Sequence, residues 1–225
     1  MRLTFYGQSC FMVEMGGKRV LFDPFITPNP LAKDVRLEEI KPDFILVSHG
    51  HPDHVADCIT LAKQNNATVV AAFEVATWLN QKGVENFHPM NTGGKWAFDF
   101  GTVKCTNAIH SSALPDGSYG ANPMGFIITG EKNFYFSGDT ALTMDMQLVP
   151  RWAKLDFAVL PIGDNFTMGY EDAIMAAEMI QCKNIVGVHY DTFGYIKIDH
   201  EKVKKAFADA GLNLFLPAIG ETIDI

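Results

Sequence analysis

One short segment, His49-Gly50-His51-Pro52-Asp53-His54, constrains this chain more than any other. It follows Phe44-Ile45-Leu46-Val47, an apolar run after Pro42-Asp43 that suits a strand buried on both faces. A helical stretch from about Ala56 to Asn65 comes next. The cluster therefore projects from the carboxyl end of a strand, where α/β folds place their sites. Three imidazoles and a carboxylate in one turn make poor core. As nitrogen and oxygen donors without sulfur, they suit Zn²⁺ or a similar ion.

The rest of the chain supplies a scaffold for such a turn. Strands are expected at 3–6, 10–15 and 19–22, with Gly16-Gly17 turning a hairpin between the last two. Another strand at 68–71 precedes a helix at 75–82 that stops at Gly83. The middle reads as strands at 95–98, 102–108, 125–129 and 133–137. The end alternates: strand 157–160, helix 171–180, strand 185–188, helix 202–210, then strands 213–216 and 222–225. Asp199 is the expected N-cap of the last helix and Gly211 follows its end. No repeat, low-complexity tract or linker divides the sequence, so residues 1–225 read as a single α/β domain. Strands first and β-α alternation later predict two mixed sheets packed face to face, with helices outside.

Composition excludes several functions. The net charge is −8 and the densest basic cluster, Lys202, Lys204 and Lys205, lies within one predicted helix as a solvated face. Nucleic acid is therefore not an expected partner. Two bound divalent ions would add about four positive charges at one spot, which keeps an anionic small molecule open as substrate. Cys10, Cys58, Cys105 and Cys182 form no CxxC pair, so a thiolate zinc knuckle is excluded and reduced thiols are expected. The N-terminus lacks the pattern of a signal peptide, and no apolar stretch approaches the ~20 residues of a membrane span. A cytoplasmic protein, away from membranes and with homo-oligomerisation open, is the expectation.

The motif resembles that of the metallo-β-lactamase superfamily, which uses H-x-H-x-D-H, then a lone His, a bridging Asp and a final His, each after a strand. Here Ile109-His110-Ser111-Ser112, Ser137-Gly138-Asp139-Thr140 and Val188-His189-Tyr190 stand in that order, each after an expected strand. The segments Leu3-Thr4-Phe5-Tyr6-Gly7-Gln8-Ser9-Cys10-Phe11 and Pro161-Ile162-Gly163-Asp164-Asn165-Phe166-Thr167-Met168-Gly169 resemble the small metal-dependent hydrolases grouped with L-ascorbate-6-phosphate lactonase. The resemblance implies an αββα sandwich and a two-metal centre. His49, His51 and His110 would hold one ion, Asp53, His54 and His189 the other, and Asp139 would bridge them. Two ions ~3.5–4 Å apart share a hydroxide that serves as nucleophile and clamp the attacking and departing oxygens. Asp53 would orient that hydroxide or take its proton. The ligand set accepts Zn²⁺, with Mn²⁺ or Fe²⁺ as alternatives.

Other residues carry softer expectations. Asp57 either accepts an N–H from a metal-bound imidazole or serves as a carboxylate at a helix N-terminus. Asp23 ends a strand and is either a turn residue or a support behind the metals. Thr167, Met168 and Tyr190 are candidate pocket lining, and Tyr190 and Asp191 are candidate acids for the leaving group. His88 precedes Pro89 and matches no ligand position; His200 reads as a surface residue. The function implied is hydrolysis of a small ester, lactone or phosphodiester metabolite. An iron-dependent oxidoreductase or dioxygenase on the same fold, or a metal-holding module without turnover, is the alternative. Di-iron relatives carry Glu where this chain has His51.

Overall fold

A computed structural model describes residues 1–225. The first half runs β1 (Arg2–Gly7), β2 (Cys10–Met15), β3 (Lys18–Phe22), β4 (Phe44–Leu46), α1 (Pro52–Val55), α2 (Cys58–Asn65), β5 (Thr68–Ala72), α3 (Phe73–Gln81) and β6 (Phe87–Met90). The second runs β7 (Lys95–Phe98), β8 (Gly101–Asn107), β9 (Met124–Thr129), β10 (Phe134–Phe136), α4 (Val149–Trp152), β11 (Phe157–Pro161), α5 (Tyr170–Met179), β12 (Asn184–Val188), α6 (His200–Asp209) and β13 (Asn213–Phe215). A last strand, β14 (Thr222–Asp224), returns to pair antiparallel with β1. Two seven-stranded mixed sheets result, ordered β14-β1-β2-β3-β4-β5-β6 and β13-β12-β11-β10-β9-β8-β7.

The alternation of side chains along each strand explains the layers. On β10, Phe134 and Phe136 enter the core between the sheets, while Tyr135 enters the core under the helices. Phe11 of β2 stacks on Phe22 of β3 at 4.5 Å, and Phe22 meets Phe134 and Phe136 edge-on at 5.8 and 5.5 Å. Such edge-to-face contacts are each worth roughly 0.5–1.5 kcal/mol beyond burial. Against the outer faces, α3 packs on β5 and β6, α5 on β11 and α6 on β13. The architecture is the expected αββα sandwich.

The expected helix at 56–65 is α2, which starts at Cys58, and the histidine turn adds a short helix of its own, α1, separated from it by Ala56-Asp57. Strand β6 was not expected from sequence. All four cysteines are buried free thiols, and burial pushes Cys105 up to about 12 and Cys182 to about 11. No helix is long and apolar enough to cross a membrane.

Candidate metal centre

Strands β8, β10 and β12 run in one direction, since β8 and β10 are each antiparallel to β9, and β11 lies parallel to both β10 and β12. Their carboxyl ends therefore share an edge. His110 follows β8, Asp139 follows β10 and His189 follows β12. From the facing sheet, the turn after β4 brings His49 and His51, and α1 brings Asp53 and His54. Pro52 opens α1 at a position where its missing N–H costs nothing.

These residues form two donor groups. His49, His51 and His110 offer ring nitrogens within 4.8 Å of one another, as do the donor atoms of Asp53, His54, Asp139 and His189. Asp139 Oδ2 lies 3.0 Å from His189 Nε2 and 3.2 Å from His54 Nε2, and 3.7 Å from His110 Nε2 of the first group. It is thus the carboxylate that reaches both.

The chemistry of the donors fits divalent ions. Two histidine nitrogens, His49 Nε2 and His51 Nδ1, face each other at 2.9 Å. His54 Nε2 and Asp139 Oδ1 are buried without an aligned hydrogen-bond partner. Burial lowers His49, His51 and His110, which favours the neutral, ligating imidazole. At the other group burial is overcome: Asp139, Asp53 and Asp23 hold His54 well above its usual value, and Asp139 raises His189 to about 9. Burial would raise Asp53 and Asp139, yet the two histidines hold both below the usual carboxylate range. The two carboxylates thus favour positive charge beside them, carried here by the imidazoles and supplied by a cation when one binds.

A supporting layer fixes the donors. Asp23 Oδ2 accepts from His54 Nδ1 at 2.7 Å and from Ser48 Oγ at 2.6 Å, so Asp23 stands directly behind a donor. Gln8 holds two at once. Its Nε2 donates to Asp53 Oδ2 at 2.9 Å, and its main-chain carbonyl accepts the main-chain N–H of His189 at 2.8 Å. Gly138, at φ +61°, leaves no room for a Cβ, which would meet Met124 O and Ser48 Cβ at 2.9 Å. Gly163 backs His189: a Cβ there would collide with its carbonyl oxygen.

Several sequence expectations are corrected. Asp57 hydrogen-bonds no imidazole; it stands at the N-terminus of α2, the other role expected of it, without a side-chain capping bond, and its Oδ2 accepts the N–H groups of Ile26 and Thr27, at 2.6 and 2.9 Å. A cavity of about 690 Å³ opens over His51, Asp53, His110, Asp139 and His189, but Thr167, Met168 and Tyr190 do not line it. Met168 is fully buried beneath α5, and Tyr190 stacks on Phe5 beside a separate cavity of about 400 Å³. Asp191 lies there too, paired with His200 at 2.6 Å, so neither acid candidate faces the donor groups and His200 is not a bare surface group. His88 sits on β6 against Trp96 and Phe98, apart from both donor groups. The walls missed from sequence are Phe166, Phe193, Gly194 and Tyr195, with Ser111 and Thr192. No Lys or Arg lines the cavity.

Residues 18–190 match the family model described as Beta-lactamase superfamily domain. The chain is 56% identical over 227 residues to a UPF0173 metal-dependent hydrolase of Christiangramia forsetii, covering 100% of both. It is 54% identical over 226 residues to one of Flavobacterium johnsoniae, again covering 100% of both. Its structure is similar to that of Igni18, a metallo hydrolase from the hyperthermophilic archaeon Ignicoccus hospitalis, with a TM-score of 0.88 and 33% identity. That match covers 99% of this chain and 97% of Igni18.

Proposed function

This chain belongs to the Beta-lactamase superfamily domain family as a UPF0173-type metal-dependent hydrolase, and on that premise we propose that it cleaves a small carboxylic ester or lactone at a pair of divalent ions. The observation that carries the reading is the shared position of Asp139 between two donor groups, beneath a cavity without Lys or Arg. His49, His51 and His110 would hold one ion, and Asp53, His54 and His189 the other, with Asp139 common to both. An imidazole and carboxylate set suits zinc first and admits manganese or iron. When bound, the ions supply Lewis acidity: an acidified water as nucleophile and a positive field for the oxygen that gains charge.

The protein's own residues then position that chemistry. Contacts to Asp53 from Gln8, His54 and His189 all fall on Oδ2, which leaves Oδ1 to accept a hydrogen bond from the attacking water. Neutral hydroxyls on the cavity wall, Ser111 and Thr192, offer hydrogen bonds to a carbonyl or departing oxygen. With no Lys or Arg in the wall, the charge of a phosphodiester would be met by the ions alone, so the neutral donors favour an uncharged carbonyl substrate. A small molecule, with homo-oligomerisation left open, is the partner this reading proposes.

The test measures metal content by mass spectrometry beside turnover of γ-valerolactone and bis(p-nitrophenyl) phosphate. Lactone hydrolysis should vanish on chelation and return with zinc, manganese or iron(II). Asp139→Asn should lose at least one ion and more than about 100-fold in turnover, since metal polarisation supplies several kcal/mol. Faster cleavage of the phosphodiester than of the lactone would overturn the carbonyl assignment.

A further inference from the structure

Three aromatic side chains converge on the cavity opposite the metal donors: Phe166, Phe193 and Tyr195. Phe166 is 49% exposed and Tyr195 is 78% exposed, a costly placement for large apolar groups unless something covers them. Phe166 and Tyr195 meet edge-to-face at 6.2 Å, and Phe193 leans on the buried Phe25 at the same distance. The two loops that present them are braced. Asp164 and Asn165 both adopt positive φ, +64° and +57°, a turn conformation that Asp and Asn enter more readily than other non-glycine residues. Asp164 N–H donates to Met168 O, and Gly163 pairs with Gly169, closing the loop that carries Phe166. The fully buried Ile196 pins the turn that carries Tyr195.

We propose that these three residues form a recognition wall for an aryl group carried by the substrate, so that the preferred substrate is an aryl-substituted ester or lactone. The proposal rests on the carbonyl-hydrolase reading above and adds to it the part of the substrate that is held while the carbonyl reacts. A flat ring stacks on or against aromatic faces with a preference that an aliphatic chain of equal area does not gain. Apart from the ions proposed at the donor groups, no Lys or Arg lines the cavity to select an anionic tail instead.

The test compares γ-phenyl-γ-butyrolactone with γ-valerolactone, which differ only in a phenyl against a methyl substituent. It uses the zinc-loaded enzyme and the variants Phe166→Ala, Phe193→Leu and Tyr195→Ala. Binding of the corresponding hydroxy acids is measured by calorimetry alongside kcat/KM. Wild type should favour the phenyl compound roughly tenfold in both readouts, and Phe166→Ala and Tyr195→Ala should each shrink that ratio towards unity, mainly through binding. Trp96→Ala, an exposed aromatic outside the cavity, should leave the ratio unchanged. Equal affinity for the phenyl and methyl acids, or a preference that survives both alanine variants, overturns the proposal. If the phenyl acid binds tighter in a wall-dependent way while neither lactone is cleaved, the wall stands and the carbonyl assignment falls.

Discussion

Gln8 joins two donor residues that are far apart in sequence, Asp53 through its side-chain amide and His189 through main-chain hydrogen bonding. Gln8→Leu keeps most of the volume and removes the amide donor from Asp53. Divalent-ion affinity should fall about 10–100-fold, as for other supports of metal ligands. Competition with a chromogenic chelator measures it, with His88→Ala as the unaffected comparison; undiminished affinity in Gln8→Leu would refute this role. The contiguous histidine turn was readable because its spacing is local and has no sensible core explanation. His110, Asp139 and His189 were readable only through their order after strands and the family resemblance. Gln8 was not named as a site residue, because its partner Asp53 is 45 positions away and a lone Gln has no local signature. The pocket residues show a sharper limit. Thr167, Met168 and Tyr190 were expected to line the cavity, yet their near neighbours Phe166 and Phe193 do. Positive φ at Asp164, Asn165, His189 and Asp191 redirects the chain, and no periodicity rule anticipates which side chain then faces inward.

At the level of elements, most strands and helices were readable from apolar runs and their punctuation, and the exceptions have physical causes. Pro89 gives residues 87–90 a poor strand signature, since proline cannot donate to a ladder. Strand β6 tolerates it as the edge of its sheet, paired only with β5. The break between α1 and α2 occurs where Asp57 turns back to hold the loop after β3. Its Oδ2 satisfies the backbone N–H groups of Ile26 and Thr27, and neither the loop nor the pairing could be inferred from spacing. Asp57→Ala strands both donors, each costing about 1–3 kcal/mol if left unpaired. Stability should drop by about 2–5 kcal/mol in urea unfolding. Asp57→Asn, which keeps an acceptor, should lose less. An unchanged midpoint in the alanine variant would show that this loop is held by something else.

For the whole molecule, the decisive arrangement is that the candidate donors come from both sheets. One sheet contributes His49, His51, Asp53 and His54, and the other His110, Asp139 and His189. Two packed sheets were foreseeable from element order, whereas the return of β14 to β1 was not, because a short C-terminal strand carries no mark of its partner. An ion bound between the sheets should stabilise the folded chain by about 4 kcal/mol at a thousand times its dissociation constant. Calorimetry should therefore show a lower Tm after chelation and recovery with zinc; identical transitions would mean that the site does not tie the sheets together. The aromatic wall, by contrast, rides on the loop at 163–169 and the turn Gly194–Ile196. Inheritance could thus act on the two separately. A few substitutions in those loops would yield descendants that share one reaction and differ in what they consume, with divergence written in the loops while the strands stayed in place.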